Sequence, residues 1–221
     1  MGLLPDISSG DGTRGGRGPF LRLLAVAALC AGAVAAPAIG HGLRPNPANS
    51  PRLLSEPIDA ERYDAGRSCR DEVPPGMKAL ERWLEHNVRG ESWGILRCEK
   101  WGHHECSLHC EGRAIDWRLD AGIAKERRAA HRLIDSLLAT DRDGNERALA
   151  RRMGIQGLIF DCHAWWAGMS EMGPYSYCYK RNGELRHNLD RTQAHRNHVH
   201  IELNWDGARK RTSFWRGRGS R

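Results

Sequence analysis

The sequence contains no C-x-x-C pair, no internal repeat, and no low-complexity tract beyond its N-terminal apolar stretch. Without a C-x-x-C, the spacing typical of a structural thiolate zinc site is missing. Only one apolar run is extended, from Leu23 to about Ala36. It is short and Ala-rich against the about 20 residues that a membrane span needs. Basic residues are not interleaved with aromatics in the pattern that grips single strands, which argues against a nucleic-acid partner. The tightest basic run, Arg209–Arg218, lies in the C-terminal tail and reads as a solvated end.

What is present suits a folded, exported chain. Its 221 residues suffice for one well-buried domain with appendages, and eight tryptophans fit a packed body rather than a disordered one. The formal charge is +7; residues 1–38 hold three Arg and two Asp, so +6 remains without them. That charge would suit an anionic cell-wall polymer. Arg14, Arg17 and Arg22 precede the apolar run, and Ala33-Val34-Ala35 and Ala36-Pro37-Ala38 offer small-residue cleavage sites. Residues 1–38 therefore read as a secretory signal peptide, with an uncleaved membrane anchor as the alternative. The expected location is secreted and cell-wall associated, without stable membrane association once the signal is cleaved, and the chain is expected to be a monomer. Setting Cys30 aside leaves six cysteines, an even set that reads as three disulfides in an exported domain. The pairing expected is Cys69–Cys98, Cys106–Cys110 and Cys162–Cys178, with a cysteine-rich zinc site as the competing reading.

Residues 39–68, rich in Pro, Asn, Ser and Arg, read as a linker or loosely draped arm. The domain is expected over 69–216, followed by a basic tail at 217–221. Pro74-Pro75-Gly76 opens a helix carrying Met77, Leu80, Leu84 and Val88, which Gly90 ends. Trp93–Cys98 reads as a short strand and 99–108 as a polar loop. Ala130, Leu133, Ile134, Leu137 and Leu138 make an apolar helical stripe. Asp141–Asn145 imitates the start of a calcium loop, but Glu146 stands where glycine is required, so it reads as a turn. A shorter helix capped by Gly154 follows, then a strand at Ile155–Phe160 and a long aromatic excursion over 161–194. Helices and strands do not alternate strictly. The expectation is an α+β fold, a mostly antiparallel sheet with helices packed on one face.

Two motifs carry the chemistry. In the segment from Ala114 to Leu119, the apolar Ile115, Trp117 and Leu119 alternate with Asp116, so a strand holds this carboxylate on the face opposite the core. Gly112 and Ala114 leave room for His109 to fold back towards Asp116, and Ser107 can hydrogen-bond within the same loop. In the second motif Val199, Ile201 and Leu203 make a core face, and His198, His200 and Glu202 share the other, with His195 in the entering loop. Neutral imidazoles on a firm strand are good zinc ligands. His103, His104 and Glu105 read as solvated loop residues. Trp165, Trp166, Tyr175 and Tyr177 either line a cleft or pack the disulfide-pinned loop.

Ser-x-His-x-x-Gly-x-Ala-x-Asp from Ser107 to Asp116, followed by His-x-x-His-x-His from His195 to His200, resembles the zinc D-alanyl-D-alanine peptidases. These share a fold with the Hedgehog signalling domain. The likeness is strongest to exported bacterial proteins that carry this domain at the C-terminus, and it covers about Cys69 to Trp215. It implies a zinc ion held by His109, Asp116 and His200 in a cleft on the sheet. It also implies a metallopeptidase hydrolysing peptidoglycan peptides as a carboxypeptidase or endopeptidase. Many relatives place a Glu base three residues before the last ligand; here that residue is Asn197. The acid–base role then falls to His195, with His198 as helper. Arg97 is the candidate cation for the oxyanion or a substrate carboxylate, and Arg113 a weaker one. The alternative on the same fold is a non-catalytic, metal-containing module that binds wall material or a protein.

Overall fold

The computed structural model describes residues 43, 45–98, 100–101 and 105–216. The chain divides into two units, Met1–Ala38 and Ile39–Arg221, and every described residue belongs to the second. The expected signal peptide, His103, His104 and the tail at 217–221 lie outside the described residues.

The central element is a five-stranded, wholly antiparallel sheet. Its strands are β3 (Ala114–Arg118), β4 (Ile155–Phe160), β5 (His163–Trp166), β6 (Gly173–Pro174) and β7 (His198–Leu203), in the order β3-β7-β4-β5-β6. A separate hairpin pairs β1 (Lys100–Trp101) with β2 (Glu105–Cys106). The helices are α1 (Pro51–Leu54), α2 (Pro75–Asn87), α3 (Ala124–Leu138), α4 (Ala148–Met153) and α5 (Trp205–Ala208). The coarse class is therefore α+β.

Alternation along the strands sorts the two faces. Ile115 and Trp117 of β3, Leu158 and Phe160 of β4, and Val199, Ile201 and Leu203 of β7 enter one core with the apolar stripes of α2, α3 and α4. Pro75 suits the first turn of α2, where its missing N–H has no partner to lose. Met77, Leu80, Trp83 and Leu84 then recur on the buried face. In α3 the buried set is Ala129, Ala130, Leu133, Ile134 and Leu137, with Ser136 among them. Gly154 ends α4 in the left-handed region and turns the chain directly into β4.

Several expectations change. Residues 93–98 form no strand. They run as an irregular edge beside β3, joined by a bridge from Ser92 to Trp117 and by hydrogen bonds of Trp93 N to Asp116 O and Asp116 N to Gly94 O. The excursion after β4 contributes β5 and β6 before it becomes a loop. Two of the three expected disulfides are present, Cys69–Cys98 and Cys162–Cys178. Cys106 and Cys110 are not joined; both are thiols, hydrogen-bonded to each other. Cys110 is buried within the turn that carries His109, and its Sγ also lies close to the Cys69–Cys98 bond.

The segment read as a linker or draped arm is sewn to the body. Ala48 and Leu53 are fully buried in the core. Asp59 accepts from Ser213, Glu61 pairs with Arg147, and Glu56 O and Pro57 O accept from the buried Arg152. Asp64 exchanges two backbone hydrogen bonds with the Gln156 side chain, 2.9 and 3.1 Å long. The sequence has no period here because the contacts are polar and individual, so a pattern search has nothing to detect.

Candidate metal centre

The face of the sheet away from the core holds the titratable cluster. β3 and β7 pair so that Asp116 stands directly opposite His200, Arg118 opposite His198 and Ala114 opposite Glu202. Two residues far apart in the chain thus become cross-strand neighbours. His109 arrives from a single 3-10 turn, Leu108–Glu111. Ser107 caps this turn by accepting from His109 N at 3.3 Å. Gly112 closes it at φ 64°, a left-handed geometry that suits glycine, and a Cβ there would meet Glu72 O and Pro74 Cδ at 3.0 Å.

Three donor atoms converge. Asp116 Oδ1 lies 3.2 Å from His109 Nε2 and 3.0 Å from His200 Nδ1, and the two nitrogens are 3.2 Å apart. A tetrahedral zinc with ligand bonds of about 2.0–2.1 Å sets its donors about 3.3 Å apart, so the triangle has the size that ion requires. The opposite nitrogens settle which atoms face inward. His109 Nδ1 is 2.7 Å from Ile95 O, and His200 Nε2 is 3.1 Å from Glu202 Oε1. Donation at these two contacts leaves His109 Nε2 and His200 Nδ1 as the atoms that would offer lone pairs to an ion, which would displace the protons they otherwise share with Asp116. Glu202 is held by Gln156 Nε2 at 3.4 Å, and Gly157 makes room for it, since a Cβ would stand 2.6 Å from Glu202 Oε2.

Charge follows from this packing. Burial alone would raise Asp116, but hydrogen bonds with His109, His198 and His200 hold its carboxyl far below the ordinary range. Burial is the largest influence on His109 and lowers it. Burial also opposes a charge on His200, yet Asp116 and Glu202 outweigh it and push it up to about 9. The two carboxylates therefore draw positive charge to the centre of the triangle.

The neighbouring residues divide into those the cleft uses and those it does not. His195 packs against His198 and His200, with ring centroids 4.7 and 5.4 Å away, and against Tyr175 at 5.3 Å. Its Nδ1 donates to Gln193 O at 3.0 Å, which leaves Nε2 as the basic atom. Burial, then His200 and His198, push His195 down to about 2, so the ring is neutral at pH 7. His198 is buried, with Nε2 3.4 Å from Asp116 Oδ1 and Nδ1 2.9 Å from Asn197 Oδ1. Asn197 also donates to Thr192 Oγ1. Arg97 binds Asp116 Oδ2 at 2.6 Å, so its first partner is the candidate ligand itself. Arg113 is remote from this chemistry: it is fully buried against Glu111, Leu203 O and the arm at Asp64 O.

A cleft of about 600 Å³ opens over the centre, and its lining includes Tyr63, Trp166, Tyr175, Tyr177 and His195. Trp165 turns to the core and donates to Met169 O, while Trp166 meets Tyr63 edge-on. The alternation of β5 makes that division. Burial and the nearby Glu202 raise the Tyr175 hydroxyl, which stays protonated as a donor. Sequence reasoning gave no role to the Ile95 carbonyl, Gln156 or Gly157. It placed Glu202 on the right face without a task. A carbonyl leaves no trace in the residue code, but a Glu two positions beyond a His on one strand face is a readable signal. No protein-family model, curated protein or solved structure matches the chain.

Proposed function

We propose that this chain is an exported zinc-dependent peptidase that hydrolyses peptide bonds of peptidoglycan. The observation that carries the reading is the triangle of His109 Nε2, Asp116 Oδ1 and His200 Nδ1, with sides of 3.0–3.2 Å, at the floor of an open cleft. One carboxylate and two neutral imidazoles are the donor set of a catalytic zinc, with a fourth position left for water or substrate. When bound, the ion supplies Lewis acidity towards a peptide carbonyl and a water molecule. His195 Nε2 is the group proposed to take a proton and return it to the leaving amine; with a resting pKa of about 2, it becomes basic enough only as negative charge builds beside it during attack. Tyr175 donates towards the cleft, and Tyr63, Trp166 and Tyr177 give flat surfaces for a substrate chain. Arg97 acts first by fixing Asp116 and only secondarily as a cation for substrate. Two disulfides suit an oxidising compartment, and among the described residues no helix is long and apolar enough to cross a membrane.

Chelator-stripped and zinc-loaded protein should be incubated with purified muropeptides and the products separated by mass. The expected result is one zinc per chain, new amines released only with zinc, and loss of cleavage in His200→Ala with the fold intact. Zinc-loaded protein that leaves muropeptides uncut from pH 5 to 9 overturns the catalytic reading.

One observation favours a second reading, a metal-containing module that binds wall material or a protein without turnover. Asn197, at the position of the acid base, cannot take a proton and is committed to Thr192 and His198. Zinc-dependent cleavage by wild type that His195→Ala abolishes rejects this reading.

A further inference from the structure

Behind His109 lies a second cluster of reactive atoms. Three chain segments meet there: the arm at 66–70, the irregular edge at 95–98 and the turn at 106–111. Arg70 N donates to Cys110 O at 2.7 Å, and Arg97 N donates to His109 O at 3.3 Å. The Sγ atoms of Cys69, Cys98 and Cys110 all lie within 4.8 Å of one another, and the Cys106 thiol is hydrogen-bonded to Cys110. Four sulfurs from three segments thus form one contiguous cluster, containing one disulfide and one dithiol. Cys110 is buried, whereas Cys106 lines the cleft and is reachable from solvent.

We propose that Cys69, Cys98, Cys106 and Cys110 form a thiol–disulfide exchange site in which the bond now at Cys69–Cys98 moves to Cys106–Cys110. In the first step the Cys110 sulfur gives up its proton and attacks one sulfur of the Cys69–Cys98 bond. A new S–S bond forms to Cys110, and the other sulfur leaves with the bonding pair and takes up the proton. In the second step Cys106 attacks Cys110, which closes Cys106–Cys110 and frees the second cysteine of the original pair. One S–S bond is lost and one gained, two protons are relocated, and no outside oxidant is consumed.

The position of the bond decides which flank of the metal centre is tethered. At Cys69–Cys98 it ties the arm to the edge that carries Ile95 O and Arg97, the partners of His109 and Asp116. At Cys106–Cys110 it would instead staple the turn that carries His109. The remaining disulfide, Cys162–Cys178, packs in a different cluster with Ala194 and serves as an internal control.

Disulfide mapping tests this on the full chain. The protein is held anaerobically at pH 8 with a trace of reduced glutathione, quenched with acid at intervals, alkylated, digested and analysed by mass. The expected result is growth of the Cys106–Cys110 peptide at the expense of Cys69–Cys98, with Cys162–Cys178 constant. Cys106→Ser should stop at a bond between Cys110 and Cys69 or Cys98, and Cys110→Ser should keep Cys69–Cys98 throughout. A wild-type map fixed at Cys69–Cys98 with both other thiols alkylated overturns the proposal. So does a chain that carries both bonds at once and never changes, or a second zinc per chain that Cys110→Ser removes.

Discussion

Glu202 turns one histidine of the strand pair, His200, into an oriented donor. It fixes which nitrogen of His200 faces Asp116, so its removal should be felt at the metal and not in the fold. Glu202→Gln is expected to weaken zinc binding about 10–100-fold, measured by competition with a chromophoric chelator, with an unchanged far-ultraviolet spectrum. An unchanged affinity would show that Glu202 has no orienting role. A second carboxylate acts on stability alone. Asp141 accepts from Asn145 N, Asn145 Nδ2 and Asp143 N, and lies 3.7 Å from the buried Arg152. Burial alone would raise it, but these donors and Arg152 hold it below the ordinary carboxylate range. A depressed native value means that its stabilisation is complete above about pH 4 and drains away as the pH falls below that. Asp141→Ala is expected to cost roughly 3–5 kcal/mol at pH 7, since it strands a buried arginine. The gap from wild type should narrow as denaturant titrations are taken down to pH 3. The carboxylate thus closes the turn at Asp141–Asn145.

At the level of elements, strands were the most legible where they alternate and least where they are short. The run from Ile155 to Phe160 and the His-x-His strand announce themselves, since both lie centrally in the sheet with apolar side chains turned to the helices. β5 and β6 do not, because four and two residues are too few to display a period. Edge segment 93–98 looked like a strand for the same reason: a few apolar residues in extended backbone satisfy the pattern without a ladder. The Cys106–Cys110 pairing was expected because an even number of cysteines invites full pairing. Sequence shows their number, not that Cys110 would also sit against the Cys69–Cys98 bond. Cys162–Cys178 spans a separation of 16 residues and pins the loop that brings Tyr175 to His195. Replacing both cysteines by serine should cost about 3 kcal/mol in urea unfolding. Zinc affinity should stay near wild type, since no ligand lies in that loop, while turnover falls. If zinc affinity drops as far as turnover, the loop holds the metal ligands and not only the groups around them.

Over the whole molecule, the arm is part of the folded body. The composition of 39–68 marked it as a linker, and composition is blind to a buried glutamine or arginine that waits for a particular carbonyl. Arg113, Arg152 and Gln156 all find partners there. A chain starting at Cys69 strips each of these groups of one or more partners, at about 1–3 kcal/mol each where the polar atom stays buried, enough to consume much of a typical domain's stability. Such a truncation should melt well below the full chain in calorimetry, and a melting point within about 2 °C of it would show the arm to be dispensable. The face-to-face placement of Asp116 and His200 carries one more consequence. Sliding β7 by a single position would bury its imidazoles among the helices and turn Val199 and Ile201 outward. On the proposed zinc reading, only the correctly aligned ladder would capture the ion, so zinc added during refolding should act as a proofreader that stabilises the true alignment and leaves every slipped one without reward.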